Sequence, residues 1–454
     1  MAVLHNMRIK FSFIVRDRND YLCFFDVRAM MKFWKGEWQV LLLLTGWAFG
    51  LLGGMSQGAH AQLTGDDEVT QILQLNTITT AVPFLMIGPD SRSGAIGDAG
   101  VALSPDANSL HWNPGKMAFS ESEFDVSLSY VPWLRSLVAD MNLAYLTMNR
   151  RINKRQAWGA ALRYFSLGNI TFTDQTGTTL RDFQPAEFSL DLGFSQKLSD
   201  RFSAGIAGRY INSNLTGGTA TMGVNTKPGR SAAVDVGLYY TNPRATFGGK
   251  RAVWNWGLNI SNIGAKMSYT EATDRDFIPA NFKLGTAIKM LLDDFNALTF
   301  TVDANKLLVP TNPVYDQESG EEIVSGYDPN VGPITALWQS WYDAPGIVNQ
   351  DGNGGYEIEP GSIFKEELRE INLGGGIEYD YNSVFAFRAG FFNEHYTKGN
   401  RQFITLGAGI KYTVFTVDLS YLIATRQQNP LANTLRFTLR LQFADLVNGT
   451  SEND

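Results

Sequence analysis

Residues 435–443 read LRFTLRLQF. Leu435, Phe437, Leu439, Leu441 and Phe443 alternate with Arg436, Thr438, Arg440 and Gln442. Side chains of an extended chain point to opposite faces in turn, so this stretch forms a strand with one apolar and one polar face. The polar face carries two arginines. Such a strand fits two settings: a sandwich that packs its apolar face inward, or a barrel wall with lipid outside and a wet lumen inside.

The same period recurs back up the chain. Phe124, Val126, Leu128 and Tyr130 alternate with Asp125, Ser127 and Ser129, and Phe188 to Phe194 alternates with Ser189, Asp191 and Ser195. Trp158–Tyr164 lies opposite Arg163, Val234–Tyr240 opposite Asp235, Phe282–Ile288 opposite Lys283, Leu298–Val302 opposite Asp303, Phe385–Phe391 opposite Arg388, and Phe415–Tyr421 opposite Asp418. With the stretches near 141–150, 202–214, 254–260, 371–379 and 404–412, the reading gives about 14 strands. An even number suits a bacterial single-chain barrel. The connections alternate long and short, with residues 166–185, 215–231, 261–279 and 307–368 long and 198–201, 291–295, 380–383 and 413–414 short. Only 241–251 is longer than that rule expects. Charges such as Arg163, Asp191, Asp235, Lys283, Asp303, Arg388, Arg436 and Arg440 would be costly in a sandwich core, whereas in a lumen they can pair with one another and with a plug. The expected fold is all-β: a transmembrane antiparallel barrel.

The N-terminal end reads as export machinery. Lys32 and Lys35 precede the apolar residues 40–52, and Ala59-His60-Ala61 is a small-x-small cleavage site. That apolar run is shorter than the ~20 residues a spanning helix needs, so 1–61 reads as an upstream extension plus a removed signal peptide. Those 61 residues hold seven of the 38 basic and four of the 45 acidic groups, leaving a net charge of −10. An acidic exported chain is a poor match for nucleic acid. Its one cysteine, Cys23, lies in the removed part, so disulfides, thiol catalysis and cysteine-bound zinc are not expected. No catalytic, cofactor or metal constellation emerges elsewhere. Gly374-Gly375-Gly376 sits in a strand rather than in a phosphate-cradling loop. Asp351-Gly-Asn353-Gly lacks the later ligands of a calcium loop. His111 is expected to be packed or hydrogen-bonded, and His395 solvated.

Residues 90–116, DSRSGAIGDAGVALSPDANSLHWNPGK, break the pattern. Gly94, Gly97 and Gly100 permit close backbone approach, while Pro105-Asp106 and Asn113-Pro114-Gly115 signal turns. The segment is expected to plug the lumen, with Arg92, Asp98 and Asp106 meeting wall charges and His111 and Trp112 packed nearby. The chain thus divides into 62–122 (lead-in and plug), 123–443 (barrel) and 444–454 (tail). The long connection 307–368 carries Trp338, Trp341 and Tyr342, either folded over the barrel mouth or serving as a docking surface. A short helix from Ser362, capped by that serine and exposing Lys365-Glu366-Glu367, is expected within it.

On DSRSGAIGDAGVA (90–102), PDANS (105–109), HWNP (111–114) and the preceding ITTAVPFL (78–85), the chain resembles the PorV proteins of the type IX secretion system. Gly115 stands where that family has Ala. The resemblance implies a FadL-like outer-membrane barrel of Bacteroidetes that is not an enzyme and needs no cofactor. It also implies partners: cargo bound through its C-terminal signal domain, the translocon that releases it, and a sortase-like attachment complex at the cell surface. Independently, the alternation of long and short connections leads one to expect both termini on the periplasmic side. The alternative is a FadL-like channel for hydrophobic small molecules, which would need an apolar path past the inward charges. A purely structural barrel is a third class.

Overall fold

The computed structural model describes residues 75–443, apart from 136–137, 139, 174–175, 177, 219–224, 271–274, 317–318, 351–355 and 426–430. The signal segment, the C-terminal tail and the Asp351–Gly355 run lie outside the described residues.

Fourteen antiparallel strands close into a barrel. In chain order they are β1 (Phe124–Pro132), β2 (Asn142–Arg151), β3 (Gln156–Ser166), then, after a hairpin of β4 (Ile170–Thr173) and β5 (Thr179–Phe183), β6 (Ala186–Lys197), β7 (Phe202–Asn214), β8 (Gly229–Phe247), β9 (Lys250–Gly264), β10 (Asn281–Leu291) and β11 (Asn296–Leu307). Two small hairpins follow, β12 (Val314–Tyr315) with β13 (Ile323–Ser325), and β14 (Val348–Gln350) with β15 (Tyr356–Ile358). The wall resumes with β16 (Ile371–Tyr381), β17 (Phe385–Asn393), β18 (Gln402–Tyr412), β19 (Phe415–Ala424) and β20 (Thr434–Phe443). Closure joins β20 to β1, pairing Phe124 with Phe443 and Tyr130 with Phe437. No wall strand is left as an edge along its paired length, which is how a sheet can satisfy its backbone in lipid.

The alternation read from sequence is present throughout. Leu128, Leu162, Leu190, Leu192, Ile206, Val302, Leu406 and Val417 face outward and are exposed, while Asp125, Arg163, Asp191, Arg209, Asp303, Glu378, Arg388 and Asp418 face inward and are buried. Aromatic side chains bracket the outer belt. On β3, Trp158 and Tyr164 are six residues apart, or about 20 Å along the strand; Phe124 and Tyr130 on β1 repeat the spacing. These are the two girdles expected at the membrane interfaces.

Connection lengths sort by end. The connections of one end span two to four residues, and those of the other span eight to 63. The expected loop at 241–251 does not exist. β8 and β9 run on to a two-residue turn, Gly248-Gly249, with both residues at positive φ (57° and 77°), the backbone that a tight hairpin requires. Pro243, which reads as a breaker, is absorbed in a register shift between Asn242 and Ala245. The long connection after β11 contains helix α3 (Pro333–Gln339) and helix α4 (Ser362–Arg369) besides its two hairpins. Helices α1 (Ser91–Gly94) and α2 (Ser109–Trp112) lie in the N-terminal segment.

That segment fills the lumen. Ala95, Ile96, Ala99, Val101, Ala102 and Met117 are fully buried. It enters from the long-loop end: Asn76 N donates to Thr397 O and Ala81 N to Phe277 O. It reaches the other end where Ala118 N donates to Ser195 Oγ. The N-terminus itself lies outside the described residues.

Candidate functional site

The lumen is held by a closed ring of six charges. Arg92 of α1 donates to Glu378 on β16 (2.9 Å), and Glu378 is shared with Arg388 on β17 (2.6 Å). Arg388 reaches Asp418 on β19 (2.7 Å), Asp418 accepts from Arg440 on β20 (2.7 Å), Arg440 reaches Asp106 (3.5 Å), and Asp106 returns to Arg92 (3.2 Å). Three guanidinium groups and three carboxylates balance. The planar arginine fork suits this bridging better than a lysine would. Sequence reading anticipated that Arg92 and Asp106 meet wall charges such as Arg388 and Arg440. Asp418 enters the ring from the polar face of its strand, and Glu378 joins it from β16.

A second pair links plug and wall through Arg436 and Asp98. On the opposite wall, Arg209 of β7 bridges Asp191 (2.8 Å) and Asp235 (3.0 Å). Three inward charges form none of the expected ion pairs among the described residues. Arg163 donates to Leu85 O (2.7 Å), Phe84 O (3.2 Å) and His111 Nδ1 (2.5 Å). His111 is thus a packed hydrogen-bond acceptor. Asp303 accepts from the Gly100 and Val101 amides, and Lys283 lies 4.8 Å from the Trp112 ring. Each side chain found plug backbone or an aromatic face before another charge, which no periodicity reveals.

The plug glycines and turns have local reasons. Gly97 (φ 70°) lies against the wall backbone, and a Cβ there would collide with the Phe391 carbonyl oxygen. Gly374 and Gly390 clear the facing wall, since Cβ atoms on them would strike Gly97 itself. Gly374 and Gly390 thus form the seat for the plug, whereas Cβ atoms on Gly375 and Gly376 would meet neighbouring wall strands. Gly100 leaves room for Trp112, whose Nε1 donates to Asp90. A Cβ on Gly94 would strike Arg436. Asp106 accepts from Asn108 N, and Asn113 from Gly115 N beside Pro114, closing the two turns.

Above the plug, at the long-loop end, lies a cavity of about 500 Å³. Phe84 and Ile87 line one side, and Phe392, Phe403 and Leu422 the other. Phe392 and Phe403 stack with ring centroids 4.9 Å apart. Asp98, Glu187, Asp276, Arg401 and Arg436 are its charged lining. The outer lumen is therefore largely apolar at this level, where the strand pattern leads one to expect a wet, polar lumen.

The 308–370 connection is anchored over this mouth. Lys306 contacts Glu370 (2.5 Å) and Glu367 (3.0 Å), while Lys398 contacts Glu366 (2.6 Å) and Glu370 (3.0 Å). Burial disfavours ionised Glu370, but Lys398 and Lys306 outweigh it and hold its carboxyl below the usual range. Burial pushes the nearby Asp343 carboxyl up to about 7; the Thr311 amide opposes this, and Glu370 and Glu367 add to it. Gly361, not Ser362, is the N-cap of α4: Ser362 Oγ instead accepts from Ile347 N and donates to Glu359 O. Of Lys365-Glu366-Glu367, only Lys365 is exposed, because the two glutamates turn toward the lysines. His395 is half-buried rather than solvated, bonded to Thr397. Burial, with Arg369, Lys398 and Lys365 adding, lowers its imidazole to about 4. Trp338 is 72% exposed, Tyr342 54% and Trp341 43%. Trp341 meets the Phe282 ring edge-on at 5.3 Å, and Tyr342 meets Tyr327 at 5.4 Å.

A closed, plugged, lipid-belted barrel of this kind is an integral outer-membrane protein. The family profile described as "Type IX secretion system protein PorV" matches residues 70–314, and the chain belongs to that family, an outer-membrane component of type IX secretion. Among solved structures, it is similar to the Pseudomonas putida toluene transporter TodX (12% identity, TM-score 0.42, covering 81% of this chain and 98% of that one). It is also similar to the Ralstonia pickettii toluene transporter TbuX (12%, 0.40, 79% and 98%) and to a Pseudomonas aeruginosa FadL homologue (11%, 0.38, 81% and 99%). No curated protein matches the chain.

Proposed function

We propose that the chain receives secreted cargo by its C-terminal signal domain at the long-loop end, outside the cell, and carries it from the translocon to a sortase-like attachment complex. In this orientation the short turns are periplasmic. The observation that carries the reading is the exposed Trp338–Trp341–Tyr342 cluster on a connection fastened by buried ion pairs. Rigidly held aromatics are favoured anchors for a protein partner. A lumen filled by the N-terminal segment supports a working surface at the rim rather than in a channel.

The test is a Trp338→Ala, Trp341→Ala, Tyr342→Ala variant. It should keep the heat-modifiable gel migration of a closed barrel and lose cargo recovery from native membranes by about tenfold or more, the scale expected when hot-spot aromatics are truncated. Unchanged recovery of proteins with C-terminal β-domains would refute this docking surface.

A second reading, uptake or carriage of a hydrophobic small molecule, draws support from the apolar cavity above the plug. Lipid extracted stoichiometrically from the purified protein, with secretion intact in a deletion strain, would favour it.

A further inference from the structure

The short-turn end is electrically lopsided. Along one arc lie the β2–β3 turn (152–155), the β6–β7 turn (198–201) and the end of the β8–β9 hairpin (241–251). Together they hold six basic residues, Lys154, Arg155, Arg201, Arg244, Lys250 and Arg251, against one acidic residue, Asp200. The three are physically contiguous: Lys197 N donates to Arg155 O, and Thr241 N to Arg201 O. Lys154, Arg155, Arg201, Arg244 and Arg251 are exposed, and none enters an ion pair among the described residues. The rest of the same end differs. The β10–β11 turn carries Asp293 and Asp294, and Asp380 pairs with Lys289 at 3.1 Å. In a chain of net charge −7, this concentration of positive charge stands out.

The hairpin also reaches beyond its neighbour. Pairing of β8 with β7 ends at Tyr240 and Phe202, within the aromatic girdle. β8 then continues to Phe247, six residues past Thr241, or about 20 Å along the strand. Over that length its outer edge has no strand partner among the described residues, while β9 covers the inner edge through Phe247 and Lys250. Pro243 and the register shift beside it remove donors and bend this edge, the devices that discourage strand addition. Recognition here is therefore by charge, not by extending the sheet. Lipid phosphates can reach cations level with the girdle but not those near the hairpin tip.

We propose that this arc is a docking surface for an acidic face of a periplasmic protein. The inference rests on the orientation given above, with short turns on the periplasmic side. Two measurements separate failure of that orientation from failure of the surface. With Thr246→Cys as the only thiol of the exported chain, an impermeant maleimide should label it only after the outer membrane is permeabilised. Labelling in intact cells would overturn the orientation and the inference with it.

Independently, the whole protein in zwitterionic nanodiscs should bind a fluorescent deca-glutamate probe. Binding should weaken steeply with added salt, as exposed charge pairs do. It should weaken at least tenfold when Lys154, Arg155, Arg201, Arg244 and Arg251 are changed to Glu, with heat-modifiable migration retained. Equal binding by the variant would overturn the surface. So would displacement of the probe by glycerol phosphate as readily as by unlabelled deca-glutamate, which would assign the arc to lipid phosphate.

Discussion

Arg92 shows how much one buried side chain can fasten. It joins α1 to Glu378 and Asp106 at once, and through them to three more wall strands. Removing one partner of a buried ion pair leaves uncompensated charge, at a cost of about 3–5 kcal/mol. Arg92→Ala should therefore lower the temperature at which the barrel loses its compact gel migration and expose residues 90–116 to protease. Arg92→Lys, which keeps the charge without the fork, should fall between. Gly97 tests the same seal without charge: Gly97→Val adds both a forbidden φ and a collision with the wall, so it should also release the plug to protease. A variant that stays protected would mean the close approach is not needed. The need for glycine near position 97 was legible in the run of small residues. Its partners Gly374 and Gly390 were not, because they lie on strands nearly 300 residues away in the chain.

At the scale of elements, the 308–370 connection behaves as a small folded body clamped by Lys306 and Lys398. Asp343 sets its pH response. An ordinary aspartate loses its proton near 4, whereas here the carboxyl is pushed up to about 7. Between those values the folded connection binds a proton that the unfolded one releases. Its contribution is thus full near pH 4, falls as pH rises to 7, and levels off above. Glu370 has the opposite sign and matters only as pH falls below the usual glutamate range. Asp343→Asn should stabilise the connection at pH 8 and flatten its response between 4 and 7; at about 1.4 kcal/mol per tenfold change in proton affinity the gain has an upper limit of about 4 kcal/mol, which the carboxyl's partial exposure to solvent lowers. Protease protection of the connection across pH in detergent measures both; an unchanged profile would remove Asp343 from this role. The aromatic residues of this element could be read from sequence, but its anchoring could not. Glu366 and Glu367 look like solvated helix residues until Lys306 and Lys398 arrive from separate parts of the chain. The β8–β9 hairpin failed for a related reason: Asn242-Pro243 is a turn signal locally, and only pairing with β9 on one side shows that the strand continues through it.

At the scale of the molecule, the barrel is a wall and the N-terminal segment runs through its lumen from the long-loop end to Ser195. Reconstituted in planar bilayers, the protein should conduct little, and deletion of residues 90–116 should give a steady open conductance with the barrel still heat-modifiable. Equal conductance before and after deletion would show that the segment does not seal the pore. The apolar outer chamber above the plug and the basic arc at the short-turn end lie on opposite sides of that segment, so substitutions in one should leave binding at the other unchanged.

Local pattern along the chain was enough to specify the strands, their number and which face of each meets lipid, because period-two alternation is local and each strand repeats it independently. It also placed opposite charges on the inner face and identified the segment that cannot be wall. Only the folded barrel settled which charges meet, from which end the plug enters, and that the outer lumen is largely apolar. Those outcomes depend on contacts spanning 286 residues from Arg92 to Glu378 and 334 from Asp106 to Arg440. Such contacts exist only once β20 has closed on β1, and nothing in the local pattern of either partner specifies the other.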